Sequence, residues 1–127
     1  MALSRRRLLA LAAAAGSGCI EDAGRDCPGS TYRLRLRPAA TVTDPLPLDA
    51  GDLSTAANAV VETAIDGEHV ETCVAWDGSP GPSAGLREVG ERVEAHADVS
   101  LAGRREDVRL DAVRGESGYR LELEIET

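Results

Sequence analysis

Polar and apolar residues alternate without a break along Tyr32-Arg33-Leu34-Arg35-Leu36-Arg37, and a period of two is the pattern of a half-buried strand. Pro38 ends it. Pro38, Pro45, Pro47 and Gly51 then mark residues 38–51 as a loop. From Leu53 the period changes. Leu53, Ala56, Ala57, Val60, Val61, Ala64 and Ile65 fall at helical spacing and make one continuous apolar face. Asp52 or Ser54 can cap the start of this helix, and Gly67 suits a left-handed stop. Residues 68–76 are rich in β-formers and predict an extended segment, and Asp77 to Pro82 predict a second irregular loop. Leu86, Val89 and Val93 mark a second helix from about Ser83 to His96. Gly85 and Gly90 weaken it by about 1 kcal/mol each relative to Ala, while Glu88 and Arg92 stand at the spacing of a supporting ion pair.

The remainder predicts a strand meander. Val99-Ser100-Leu101 forms a short strand and Asp107 to Val113 a second. Gly115 to Gly118 is a turn. In the last strand Tyr119, Leu121, Leu123 and Ile125 share one face, and Arg120, Glu122, Glu124 and Glu126 the other. These elements predict an α+β domain, an antiparallel sheet of about four strands with two helices on one face. The last strand needs a partner on its free edge, since a long open edge invites aggregation. Pairing residues 32–37 with 119–126 supplies one and sets arginine against glutamate.

Ahead of the first strand the pattern is of another kind. Arg5-Arg6-Arg7 precede a short apolar run from Leu8 to Ala15, and Gly16-Ser17-Gly18 precede Cys19. That is the layout of a signal peptide, with an apolar run far short of the ~20 residues that span a bilayer. Ser4-Arg5-Arg6-Arg7-Leu8-Leu9 resembles a twin-arginine export signal, and small residues before a cysteine resemble a lipobox, although Gly16 stands where such motifs carry Leu. The expected organisation is a signal peptide over 1–18, a lipidated Cys19 with a Gly- and Pro-bearing tether over 19–31, and a single domain over 32–127. A cleaved, unlipidated product is the alternative.

Composition qualifies the core and the surroundings. There is no Phe, one Trp and two Tyr, so Val, Leu and Ala carry the packing. All 14 basic residues are Arg, and the net charge is −8, more negative once the leader arginines are gone. Such a chain repels itself in low salt and gains from screening in high salt, as halophilic proteins do. A GC-rich genome would explain the missing Lys but not the carboxylate excess. The acidity argues against a nucleic-acid partner, which needs a basic footprint. The stretch Leu53-Ser54, Val60-Val61, Ala64-Ile65, Gly67, Glu71-Thr72-Cys73 and the helix after it resembles small haloarchaeal twin-arginine-exported lipoproteins. The resemblance covers about forty residues and implies an address at the outer face of the cell membrane, with no activity attached.

Candidate chemistry is sparse. With Cys19 taken by lipid, Cys27 and Cys73 form an even remainder, which in an oxidising compartment suggests a disulfide; two free thiols are the alternative. His69 and Cys73 have a spacing that metal sites use, but His96 lies elsewhere and no third ligand joins them, so no metal is expected. Ser79, Ser83 and Ser100 have no neighbouring base in the sequence, and no motif requires a cofactor. Arg33, Arg35 and Arg37 form a basic stripe, either a dock for anionic lipid headgroups or, the expectation here, one side of a charge-paired sheet face. Trp76 and Asp77, beside the Pro/Gly loop, could form a binding lip for a glycan or peptide, although a lone Trp more often fills a core. The expected function is a non-catalytic, surface-tethered lipoprotein module for binding or envelope structure. A small secreted hydrolase or redox accessory protein is the alternative. A close trio of His, carboxylate and Ser or Cys in a cleft would favour the enzyme, and a shallow surface without a cleft the module.

Overall fold

A computed structural model of the chain describes Cys27 and residues 29–127. The expected signal peptide over 1–18, Cys19 and most of the expected tether lie outside the described residues. Strand β1 is Ser30–Pro38, and its buried positions Tyr32, Leu34 and Leu36 alternate with its arginines. Helix α1 is Thr55–Asp66 and buries Ala57, Val60, Val61 and Ala64. Strand β3 is His69–Val74, helix α2 is Ala84–Ala97, and strands β4 (Val108–Arg114) and β5 (Ser117–Glu126) close the chain as a hairpin. The hairpin loop is Gly115-Glu116, and Gly115 takes the positive φ of 62° that a two-residue turn demands.

The sheet has five strands in the order β2-β4-β5-β1-β3, where β2 is Leu46–Pro47. It is mixed, which corrects the expectation of a purely antiparallel, four-stranded sheet: Leu46 and Pro47 run parallel to Ala112 and Val113, while every other pairing is antiparallel. The proline-rich loop conceals this strand. Pro47 donates nothing to a ladder, which an edge strand tolerates, and Leu46 and Leu48 are buried on either side of it. The Leu48 amide donates to the Val113 carbonyl at 2.8 Å, and the Gly115 amide to Asp49 Oδ1 at 2.6 Å, so the loop clasps the β4–β5 hairpin.

The pairing of β1 with β5 runs from Thr31↔Glu126 to Pro38↔Tyr119, as the free-edge argument expects. The short strand expected at Val99–Leu101 does not form. Leu101 is fully buried, but its amide donates to Glu94 Oε2 at 2.8 Å and not to a strand. Two details of the helices also differ. Gly67 ends α1 with an extended φ of 175°, and it is Asp98 that takes the left-handed conformation, at the end of α2. Gly85 and Gly90 prove to be packing sites. A Cβ on Gly85 would overlap the α1 backbone at Ala56, and one on Gly90 would overlap the Trp76 ring. Side chains from α1, α2 and one face of the sheet merge in one core, in which Trp76 is the largest member and packs against Tyr32 at 5.4 Å between ring centroids.

Candidate functional site

The sheet face opposite the helices is an ionic lattice. β1 supplies Arg33, Arg35 and Arg37, and its register sets Arg33 against Glu124 and Arg35 against Glu122 of β5. Arg35 is central: Nε donates to Glu68 Oε1 and Nη1 to Glu124 Oε2, both at 3.1 Å. The Glu68 hydrogen bond, then the Glu124 charge, raises its already high pKa. Arg33 shares Glu68 at 3.1 Å. Arg37 falls opposite Arg120 and so reaches diagonally to Glu122 at 3.6 Å, while Arg120 turns to Asp111 at 2.7 Å. With Arg109 on Glu122, five arginines (Arg33, Arg35, Arg37, Arg109, Arg120) meet five carboxylates (Glu68, Glu122, Glu124, Glu126, Asp111). Exposed pairs of this kind contribute about 0.2–1 kcal/mol each. The stripe is therefore neutralised where it stands, as the pairing argument expects. Glu68, in the turn before β3, is a participant that strand periodicity does not reveal.

A second cluster joins β3 to α2. Ser83 is the N-cap of α2: its Oγ accepts from the Leu86 amide at 3.2 Å and donates to Glu71 Oε2. The Ser83 amide donates to Glu71 Oε1 at 2.8 Å, and His69 Nε2 lies 2.7 Å from Glu71 Oε2. Burial pushes the Glu71 carboxyl up, but the hydrogen bonds from Ser83 and His69 together outweigh it and hold the group below the usual range. This is a close trio of His, carboxylate and Ser. Its order is not that of a nucleophilic site, because the serine hydroxyl and the imidazole both turn to the same carboxylate oxygen, Glu71 Oε2, and no hydrogen bond among the described residues joins imidazole to hydroxyl. It is a helix cap whose acid comes from another element. Helix α1 repeats the device. Its N-cap Ser54 accepts from Ala57, and the Ser54 amide donates to Glu88 Oε2 of α2 at 3.0 Å. Glu88 and Arg92 thus do not form the ion pair that their spacing suggests; Arg92 instead donates to the Asp52 carbonyl at 2.7 Å.

Cys27 and Cys73 lie at disulfide distance, with their Cα atoms 5.1 Å apart. Cys73 sits where the β1–β3 register shifts, at a φ of 57°. The metal-like spacing of His69 and Cys73 is broken up accordingly: His69 faces Glu71 and Cys73 faces Cys27. Among the described residues no three His, Cys, Asp or Glu side chains gather as metal ligands, and no helix is long and apolar enough to cross a membrane.

Next to this cysteine pair is a hollow of about 440 Å³. Its floor is apolar and buried, built from Tyr32, Val74 and Trp76, and its rim carries Asp77, Arg104 and Arg105. Trp76, considered above as a binding lip, is only 5% exposed. It is a core residue whose edge reaches the hollow, with Arg87 stacked on its ring at 5.4 Å, and Asp77 is the exposed member of the pair. Burial raises the Tyr32 phenol above its ordinary value. The sequence does not single out the rim arginines, because an Arg-Arg doublet between a helix and a strand has no periodicity. Its only signal is two like charges in a loop of an acidic chain. Comparison with protein-family models, curated proteins and solved structures gives no match.

Proposed function

We propose that the chain is an exported lipoprotein whose 1–18 leader is removed, whose Cys19 carries lipid, and whose 19–31 tether holds a non-catalytic α+β module at the outer face of the cell membrane. The module serves binding or envelope structure. The observation that carries this reading is the approach of Cys27 to Cys73. Beyond Cys19 the chain holds only these two cysteines, and pairing them suits an oxidising compartment outside the cytosol. It would also fasten the end of the tether to β3, so that the domain hangs from one fixed point. The resemblance to haloarchaeal lipoproteins and the leader pattern support the same address. The non-catalytic character is supported by the use of polar groups: Ser83, Glu71 and His69 are committed to capping α2, and the basic stripe to its glutamates. The trio is what a hydrolase reading would rest on, and its order argues against that reading.

The test is fractionation of cells expressing the full chain or its Cys19→Ser variant, with thiols alkylated before lysis. The native protein should sediment with membranes and the variant should pass to the medium, because lipid holds by about 0.8 kcal/mol per buried CH₂. Cys27 and Cys73 should resist alkylation until reduced. Membrane retention of the variant, or two freely alkylated cysteines, counts against the reading.

A further inference from the structure

We propose that the hollow between Trp76 and the Arg104–Arg105 loop is a binding site for a small carboxylate attached to an apolar body. The proposal deepens the reading of the domain as a binding module and rests on it. Charge gives the first argument. In a chain of net charge −8, nearly every arginine of the described residues is engaged. Five lie in the lattice of the sheet face. Arg87 donates to the Trp76 carbonyl, Arg92 to the Asp52 carbonyl, and Arg114 to the Leu48 carbonyl and Asn58. Arg104 spends its Nε on the Glu106 carbonyl at 3.0 Å and comes no nearer than 3.9 Å to that residue's carboxylate. Arg105 alone has neither hydrogen bond nor ion pair among the described residues, and it stands on the rim of the hollow. A guanidinium presents a planar fork of donors that matches a carboxylate in two parallel hydrogen bonds.

Shape and lining give the second argument. Small-molecule sites are concave, mostly apolar, and carry a few placed polar groups. Here Tyr32, Val74 and Trp76 give the buried apolar part of the lining, and Ser30, Asp77, Arg104, Arg105 and Thr127 the polar part.

Trp76 is the chain's only tryptophan, so its fluorescence reports on this hollow. The experiment titrates the full chain, purified from whichever fraction holds it, with cyclohexanecarboxylate. Cyclohexanecarboxamide serves as the uncharged shape control and inorganic phosphate as the bare anion. One salt concentration is used, at which circular dichroism shows the fold intact. The expected result is a saturable change with the carboxylate and binding at least about tenfold weaker for both controls. Arg105→Glu should weaken it by a similar factor. So should Arg105→Gln, which removes the charge alone and serves should the first variant misfold. Arg109→Ala, on the sheet face, should leave binding unchanged. An unsaturable response, equal responses to carboxylate, amide and phosphate, or binding unaltered in both Arg105 variants overturns the proposal. Because the protein is taken from any fraction, a failure here leaves the anchoring result untouched, and a failure of anchoring leaves this one readable.

Discussion

A methyl group added at Gly90 would enter the space of the Trp76 ring, and one added at Gly85 would strike the α1 backbone. Both glycines sit inside α2, where alanine is ordinarily the better residue by about 1 kcal/mol. The two effects oppose each other, and their sizes decide the outcome. Forcing volume into a filled core costs about 1–3 kcal/mol. Trp76 is held by Tyr32 and Arg87 and has little room to give. Gly90→Ala is therefore expected to lower stability by about 1 kcal/mol in spite of the helix gain, and to shift Trp76 emission. Urea unfolding followed by fluorescence reads both. A stabilised Gly90→Ala protein would mean that the helix gain outweighs the contact.

At the scale of elements, the helices are held at their starts by acids from other parts of the chain. Each N-cap serine serves its own helix, and each serine amide is taken by a distant glutamate, Glu88 for Ser54 and Glu71 for Ser83. Ser83→Ala is expected to cost about 1 kcal/mol. Glu71 adds a pH dependence whose sign follows from its lowered pKa. The unfolded chain takes up the proton at a higher pH than the folded one. The contribution of Glu71 is thus complete above the ordinary carboxylate range, near ~4.3 for Glu, and is lost as pH falls through the folded value. Asp111, held low by the Thr43 amide and then Arg120, and Glu88, held low by Ser54, act in the same direction. Glu71→Gln should flatten the acid limb of stability against pH while leaving the neutral plateau close to that of Ser83→Ala; an unchanged acid limb would remove Glu71 from the account. These links explain what the sequence reveals and what it hides. β1, α1, α2 and the β4–β5 hairpin are legible because burial of one face writes a local period, and the arginine–glutamate alternation even shows which strands meet. The two-residue β2 is not legible, because its pairing with Ala112 and Val113 is a tertiary fact and its prolines read as loop. Val99–Leu101 reads as a strand because Leu101 is apolar and buried, yet its amide bonds to a side chain. For the same reason Glu88 reads as a partner of Arg92 when it serves Ser54, and the rim of Arg104 and Arg105 carries no pattern at all.

For the whole molecule, salt acts on two sets of charges in opposite senses. The sheet-face lattice is attractive and balanced, five against five, with its closest contacts at 2.7–3.1 Å. The excess of acid lies elsewhere, on exposed residues such as Asp66, Glu91, Asp98 and Glu116, spread across helices and loops. Their repulsion acts over longer distances. The screening length is about 10 Å at 0.1 M salt and about 3 Å at 1 M. Raising salt through that range removes interactions between dispersed acids while leaving direct contacts of about 3 Å much less affected. Repulsion is lost faster than attraction. Excluded salts also strengthen apolar burial, which helps a core of Leu, Val and Ala with a single Trp. The expected outcome is a urea midpoint that rises steadily from ~0.1 M to molar salt, with near-UV circular dichroism from Trp76 fading at the low end. Arg35→Gln, which breaks the centre of the lattice, should lower the midpoint at both ends of the series and leave the upward slope in place. A midpoint that is level or falls with salt would show that the lattice, and not the dispersed acidity, governs the electrostatics of this domain, and would count against adaptation to a saline environment.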